Sequence, residues 1–234
     1  MYNLIDALMK LMYQIVFFSL FLNTLTGCKA QTKTDNHITA TSQNVIKKIV
    51  GGGCDGCEIM YVDMPKIINS ADTSAGWFEI GQKLLVTGTV YKPDSKTPAP
   101  NVIVYYYHTD NNGYYSPGKG LNEKAGRHGH IRGWVKTGED GKYFIYTIRP
   151  SPYPNASIPA HIHVFIKEPD IDNEYYIDEF VFEDDKLLTA AKRKALENRG
   201  GNGIIRVQLS NNLQVGKHNI ILGLNIPNYP ETLK

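Results

Sequence analysis

The segment His161-Ile162-His163 carries the first chemical signal in this chain. Residues two apart on a β-strand face the same side, so the two imidazoles point together and Ile162 points away. Two imidazoles side by side are a natural pair of metal ligands. A His-x-His on a strand serves as readily as a hydrogen-bonded structural pair, so the neighbouring residues decide. Eight residues upstream of His161, Tyr153 sits in Pro150-Ser-Pro-Tyr-Pro154. Prolines on both sides stiffen that loop and hold the phenol in place. Further upstream, Tyr107-His-Thr-Asp-Asn-Asn-Gly-Tyr-Tyr115 places a tyrosine pair just past a glycine turn. Tyr114 and Tyr115 also read as alternating strand residues, one in and one out. A phenolate is a hard anionic donor, so a set of histidines and tyrosines suits ferric iron better than zinc or copper. A second His-x-His, His128 and His130 in Gly126-Arg-His-Gly-His130, lies among glycines. Those glycines predict a mobile loop, with a pocket-lining or solvated role for both rings in place of metal ligation.

The elements that must hold these side chains are short strands. Residues 83–91, 102–108, 131–136, 142–148 and 161–166 are runs of β-branched and aromatic residues. Between them lie turn signals such as Asp110-Asn-Asn-Gly113, Glu139-Asp-Gly141 and Pro150-Ser-Pro152. Strands at this spacing predict an all-β, antiparallel sandwich. One stretch, residues 184–198, reads as a helix, with acidic residues at its start, bases later and Gly200-Gly201 to stop it. Residues 204–209 and 218–224 supply closing strands. A composition of 42% hydrophobic and 21% charged residues allows one domain with a real core, placed at residues 49–234. The net charge is only +2 and the bases are scattered, which argues against nucleic acid as a partner.

Several of these segments together resemble the intradiol ring-cleavage dioxygenases, the family of catechol and protocatechuate dioxygenases. They are Arg132-Gly-Trp-Val-Lys-Thr137, Asp140-Gly-Lys-Tyr143, Thr147-Ile-Arg-Pro150, Pro152-Tyr-Pro154 and Pro159-Ala-His-Ile-His163. The resemblance covers roughly residues 83–190. It implies the sandwich fold of that family and one ferric ion (Fe3+) held by Tyr115, Tyr153, His161 and His163. It selects Tyr115 over Tyr114, because the family's first tyrosine follows a strand, a short turn and Gly-x-Tyr. It implies an aromatic diol and O2 as reactants, ring opening between the hydroxylated carbons, and a muconate-type diacid as product. Tyr153 would be the ligand that takes a substrate proton. One position departs from the family: an arginine usually stands just before Pro-Ala-His-Ile-His, and here that residue is Ile158. A cation there offsets charge developing on the substrate. Its absence leaves Arg149, a catalytic candidate on that ground, and Arg132 to supply that charge.

Two other readings remain open. The stretch from Gly88-Thr-Val-Tyr91 to Asp140-Gly-Lys-Tyr143 also resembles transthyretin-like sandwich modules of exported proteins, which bind at surfaces and need no Tyr/His set. A dioxygenase relative that keeps its metal and turns over little is the other, motivated by Ile158.

The first residues belong to targeting, not to the fold. Lys10 precedes the apolar run 11–22, too short for a comfortable membrane span, which ends in Leu25-Thr-Gly-Cys28. This resembles a bacterial lipobox. It implies a signal peptide over residues 1–27, a lipid on Cys28, a flexible polar tether over 28–48, and an exported protein held at the membrane by its acyl chains. Cys54 and Cys57 then remain in Gly51-Gly-Gly-Cys-Asp-Gly-Cys57. In an exported chain such a lone Cys-x-x-Cys reads as a local disulfide, since a metal knuckle needs two further ligands. Cys28→Ser is expected to move the protein from the membrane fraction to the soluble exported fraction. Wild-type protein found soluble, with residues 1–27 still attached, would overturn the anchor.

Overall fold

Alternation along the central strands builds the structure, a computed structural model that describes residues 48–155 and 157–233. The expected signal peptide, Cys28 and the tether expected up to residue 48 fall, but for that last residue, outside the described residues. In β2 (Lys83–Tyr91) every second residue from Leu84 onward is buried, the pattern of a strand with one face on a core. That strand lies in a sheet ordered β1-β5-β2-β11-β10, where β1 is Ala71–Thr73, β5 Lys142–Ile148, β10 Val207–Ser210 and β11 Leu213–Lys217. β12 (Ile220–Ile221) also joins β2. The second sheet runs β4-β3-β6-β8-β9, with β3 Ile103–His108, β4 Arg132–Lys136, β6 His161–Lys167, β8 Phe180–Phe182 and β9 Ile204–Ile205. β7 (Tyr175–Tyr176) pairs with β6. The long pairings are antiparallel, while β1 on β5, β11 and β12 on β2, and β9 on β8 are parallel.

The inner faces meet in one core. Leu84, Val86, Tyr143 and Ile145 from the first sheet pack with Val104, Tyr106, Ile162, Val164, Ile166, Phe180 and Phe182 from the second. Each such side chain contributes about 1.5–3 kcal/mol on burial. Polar groups caught in this layer are paired: the Tyr106 hydroxyl donates across it to Asp72 at 2.6 Å, and the Tyr143 hydroxyl donates within the first sheet's side to the His218 carbonyl at 2.8 Å. Gly88 admits that backbone, since a Cβ there would lie 1.6 Å from the His218 oxygen. The outer face of the second sheet carries the odd-numbered residues of β3 and β6. There Tyr105, Tyr107 and Phe165 pack with Cys57 and Met60 in a smaller buried cluster. A bond between Cys54 and Cys57, with Cα atoms 5.6 Å apart, closes the turn that covers this cluster.

The helix expected over 184–198 is much shorter. Only α1 (Ala190–Lys194) forms, with Thr189 as its N-cap. The acidic residues that suggested an earlier start have tertiary partners. Asp184 pairs with Arg149, and Asp185 accepts from the backbone N–H of Ala160 at 2.8 Å and of Leu187 at 2.8 Å. A carboxylate bonded to a neighbouring strand cannot also serve the first turn of a helix.

His108 lies on the core face of β3 and is 1% exposed. Its Nδ1–H donates to the Thr109 carbonyl at 2.8 Å, and Nε2 accepts from the Thr147 hydroxyl at 2.8 Å. Burial lowers its pKa from 6.5 to about 4. Between those values the unfolded chain binds the extra proton, so the stability that the neutral ring contributes is lost as pH falls through that window. Between pH 7 and pH 4.5 this amounts to about 2 kcal/mol. Urea unfolding at the two pH values should show His108→Asn starting less stable and losing about 2 kcal/mol less than wild type. An equal loss in both proteins would remove His108 as an acid-sensitive element.

Candidate metal centre

β6 sits between β3 and β8, and its register decides what His161 and His163 face. Tyr107 of β3 is directly opposite His163, and Tyr105 is opposite Phe165. The two histidines therefore share the outer face of the sheet, as the two-residue period requires. Each ring is turned by a fixed acceptor. The Nδ1 of His161 lies 2.8 Å from the Pro159 carbonyl, which can only accept, so Nδ1 carries the proton. The Nδ1 of His163 lies 2.9 Å from a carboxylate oxygen of Glu179. Both Nε2 atoms are thus turned to the same side and face each other at 3.2 Å. Burial also lowers the pKa of His161, which favours its neutral form.

Two loops bring the phenols to the same point. Asp110 organises the first loop: its carboxylate accepts from the N–H groups of Asn112 and Tyr114 and from the Ser116 hydroxyl. Thr109 and Asp110 then bond to Ser151, which begins the proline loop: the Thr109 hydroxyl donates to the Ser151 carbonyl at 2.6 Å, and the Ser151 N–H to the Asp110 carbonyl at 3.2 Å. Gly113, at φ +84°, lets the loops touch, for a Cβ there would meet the Pro152 oxygen at 2.2 Å. As a result the Tyr115 and Tyr153 hydroxyls are 2.5 Å apart. Tyr115 is 2.8 Å from Nε2 of His163, and Tyr153 is 3.1 Å from Nε2 of His161. Tyr114 points away and is 58% exposed.

Four donor atoms 2.5–3.2 Å apart can all reach one ion at bonds of about 2 Å. Without an ion, two hydroxyl protons must serve four converging lone-pair donors. Burial raises the pKa of both phenols, and the contact with Tyr153 raises that of Tyr115 further. Losing both protons therefore demands a strongly charged cation in their place. The donors fit such a group. Among the described residues, His161, His163 and Glu179 also lie close enough together to share an ion. Glu179, however, touches the Nδ1 edge of His163, away from the edge that faces the phenols. Burial pulls its carboxyl upward in pKa, and the hydrogen bond from His163 together with the electrostatic attraction of His161 and His163 more than offsets this, so Glu179 stays ionised. A cavity of about 250 Å³ lies alongside, lined by Cys54, Tyr107, His163, Tyr176 and Glu179. A larger one of about 440 Å³, around Lys92, Glu168 and Tyr229, contains none of the four donors.

The remaining sequence candidates fall elsewhere. Arg149 is committed to Asp184 at 2.7 and 2.9 Å, and its guanidinium lies 4.3 Å from the centre of the Phe182 ring. Arg132 packs over Trp134 and donates to the Val62 carbonyl. Ile158 is 46% exposed. His128 is not on a solvated loop. It is 3% exposed, bonds Tyr105 through Nδ1 at 2.8 Å, and stacks on Tyr107 at 3.7 Å, which in turn stacks on His163 at 4.4 Å. Burial lowers its pKa to about 3, so it is a neutral packing group behind the ligand. His130 ion-pairs with Glu79 and bonds the Ser116 carbonyl at 2.6 Å, bracing the turn after Tyr115. Glu179 had no signal in the sequence beyond an acidic residue just before the Phe180-Val-Phe182 run.

Residues 61–214 match the Dioxygenase_C family, described as dioxygenase. The chain is 31% identical to catechol 1,2-dioxygenase 1 of Acinetobacter lwoffii over 36% of its own length and 31% of that protein's. It is 27% identical to catechol 1,2-dioxygenase of Acinetobacter baylyi over 49% of its length and 43% of the relative's. It thus spans less than half of either curated relative. In fold it is similar to wild-type catechol 1,2-dioxygenase of Acinetobacter radioresistens, with a TM-score of 0.54 at 16% identity, covering 73% of this chain and 60% of that one. The matched segment holds Tyr115, Tyr153, His161, His163 and Glu179 together. On that match, and on a two-sheet sandwich of the same kind, the chain belongs to the intradiol ring-cleavage dioxygenase family.

Proposed function

We propose that this protein is a non-haem ferric dioxygenase. It opens a catechol-type ring between its two hydroxylated carbons and places both atoms of O2 in a muconate-type diacid. The observation that carries this reading is the convergence of two phenol oxygens and two imidazole Nε2 atoms on one point. A transthyretin-like binding module has no use for that arrangement. Ferric iron, when bound, supplies Lewis-acid and one-electron chemistry at the diol. The chain's own part is placement and charge. His161 and His163 are imidazole donors oriented by their Nδ1 bonds, and Tyr115 is a phenolate held by the Asp110 turn. Tyr153 stands on a loop with its hydroxyl within reach of Tyr115 and His161, which makes it the acceptor for a proton leaving the diol. We also propose that the domain is exported and held at the membrane through Cys28.

One observation favours a slower variant of the same activity. Position 158 offers no cation, and Arg149 and Arg132 are engaged with Asp184 and Val62. In that reading the metal binds and the diol binds, while turnover is low.

The purified domain is expected to hold about one ferric ion and to be coloured by phenolate-to-iron charge transfer. Tyr115→Phe and Tyr153→Phe should each weaken or shift the visible band, Tyr114→Phe should leave it nearly unchanged, and His161→Ala or His163→Ala should lose the iron. A colourless protein that prefers zinc would overturn the dioxygenase reading. Ile158→Arg should speed turnover of simple catechols about tenfold to a hundredfold if the missing cation limits the rate. Oxygen uptake on catechol, protocatechuate and a chlorinated catechol measures this. Unchanged or lower rates on all three rings would reject the missing-cation account.

A further inference from the structure

The two histidines at the centre are chemically unequal. His161 directs its Nδ1–H to a neutral carbonyl two residues before it, inside its own turn. His163 directs its Nδ1–H to a carboxylate from another strand. The antiparallel ladder of β6 and β8 pairs His161 with Val181 and Ile162 with Phe180, and Glu179 is the residue just before that ladder, in the short link from β7. Glu179 is therefore flanked by two strands that both pair with β6, which hold its backbone beside His163 and leave only the side chain to complete the contact. The residue before it is tied as well: Asp178 accepts from the N–H groups of Asn198 and Arg199 at 2.9 and 3.0 Å. Among the described residues, the ion pair of Glu179 runs to His163 and to no lysine or arginine. Its charge is thus spent on that imidazole.

We propose that Glu179 is a positioning residue for the metal. Its carboxylate holds His163 in the tautomer with Nε2 free and makes this ring a stronger electron donor than His161. A carboxylate behind a ligating imidazole orients the ring and raises its basicity. The inference rests on the four donors holding ferric iron, and it adds a fifth residue that tunes that iron without touching it. A more electron-rich iron accepts charge from the phenolates less readily. The visible band then lies at shorter wavelength, and the ferric state is harder to reduce, than with a neutral partner at position 179.

Two variants separate the parts of this role. Glu179→Gln keeps an acceptor oxygen and removes the charge, whereas Glu179→Ala removes both. Iron-loaded Glu179→Gln should keep its metal, show the band at longer wavelength and reduce at a higher potential than wild type. Glu179→Ala should bind iron about 10- to 100-fold more weakly. Without metal, 15N NMR should find His163 protonated at Nδ1 in wild type and shifted toward the Nε2–H form in Glu179→Ala. Glu179→Gln is nearly isosteric, so it carries the test even if Glu179→Ala fails to fold. A loaded Glu179→Gln protein with the wild-type band and potential overturns the proposal while leaving the iron reading intact. A wild-type protein that takes up no ferric iron overturns the iron reading, and the proposal with it.

Discussion

Two imidazole nitrogens and two phenol oxygens crowd one point with too few protons to satisfy every contact, and this structure holds them there. Each ring could relieve the conflict by turning over or by moving its proton to Nε2. Both escapes are blocked by acceptors on the Nδ1 side, the Pro159 carbonyl and the Glu179 carboxylate. A neutral hydrogen bond is worth about 1 kcal/mol net, and one to a charged group more, less whatever solvent screening a half-exposed carboxylate suffers. Those sums would not hold a ring on a mobile loop. They suffice here because β6 lies inside its sheet with Ile162, Val164 and Ile166 in the core, so the backbone beneath the rings cannot yield. The fold stores an unfavourable arrangement that a cation would turn into a favourable one.

The phenols reach the same point by a different route. Neither Tyr115 nor Tyr153 stands on a strand, so their positions depend on loop chemistry. Asp110 closes one loop on itself, and Thr109, Asp110 and Ser151 bind it to the other. The close approach at Gly113 makes the two loops one unit. Behind them, His128, Tyr107 and His163 form a continuous stack. This stack explains why a second His-x-His exists without being a second metal site. Its first ring supports a ligand from behind, and its second braces the turn that follows Tyr115.

What could be read in the residues follows from how local each signal is. The shared face of His161 and His163 comes from the two-residue period of a strand and needs no tertiary knowledge. The sandwich was legible for the same reason, since β2, β3, β5 and β6 each declare themselves by alternation or by β-branched and aromatic runs. Tyr153 stood out by its flanking prolines, but the choice of Tyr115 came from resemblance, because nothing local separates it from Tyr114 until the loop is seen to expose one and turn in the other. Glu179 was invisible because its role depends on the register of β8 against β6, sixteen residues along the chain. The helix over 184–198 was overextended because its acidic start looked like helix-end electrostatics. Those same carboxylates instead hold Arg149 and the N–H of Ala160, next to His161. Burial likewise overrode the glycine-rich context of His128.

Charge is the last constraint to follow through. Under the proposed function, two phenolates and the Glu179 carboxylate place three negative charges around a trivalent ion, which leaves the centre near neutrality. A diol that lost both protons with no other change would make it strongly negative. The cations that could answer are elsewhere, Arg149 on Asp184 and Arg132 on the Val62 carbonyl. Two features of this chain lessen the difficulty. Tyr153 can take one of the diol's protons and carry it out of the donor set as a neutral phenol, so the centre gains one negative charge instead of two. Ile158, at the position where the family resemblance expects a cation, is 46% exposed, and where water reaches the charge it screens part of it. Screening by water is weaker than a fixed cation, because water must reorient as charge develops. The mobility of one phenol is therefore more consequential here than in a site with an arginine beside the ring. The loop Pro150–Pro154 has to be stiff enough to aim Tyr153 and loose enough to release it.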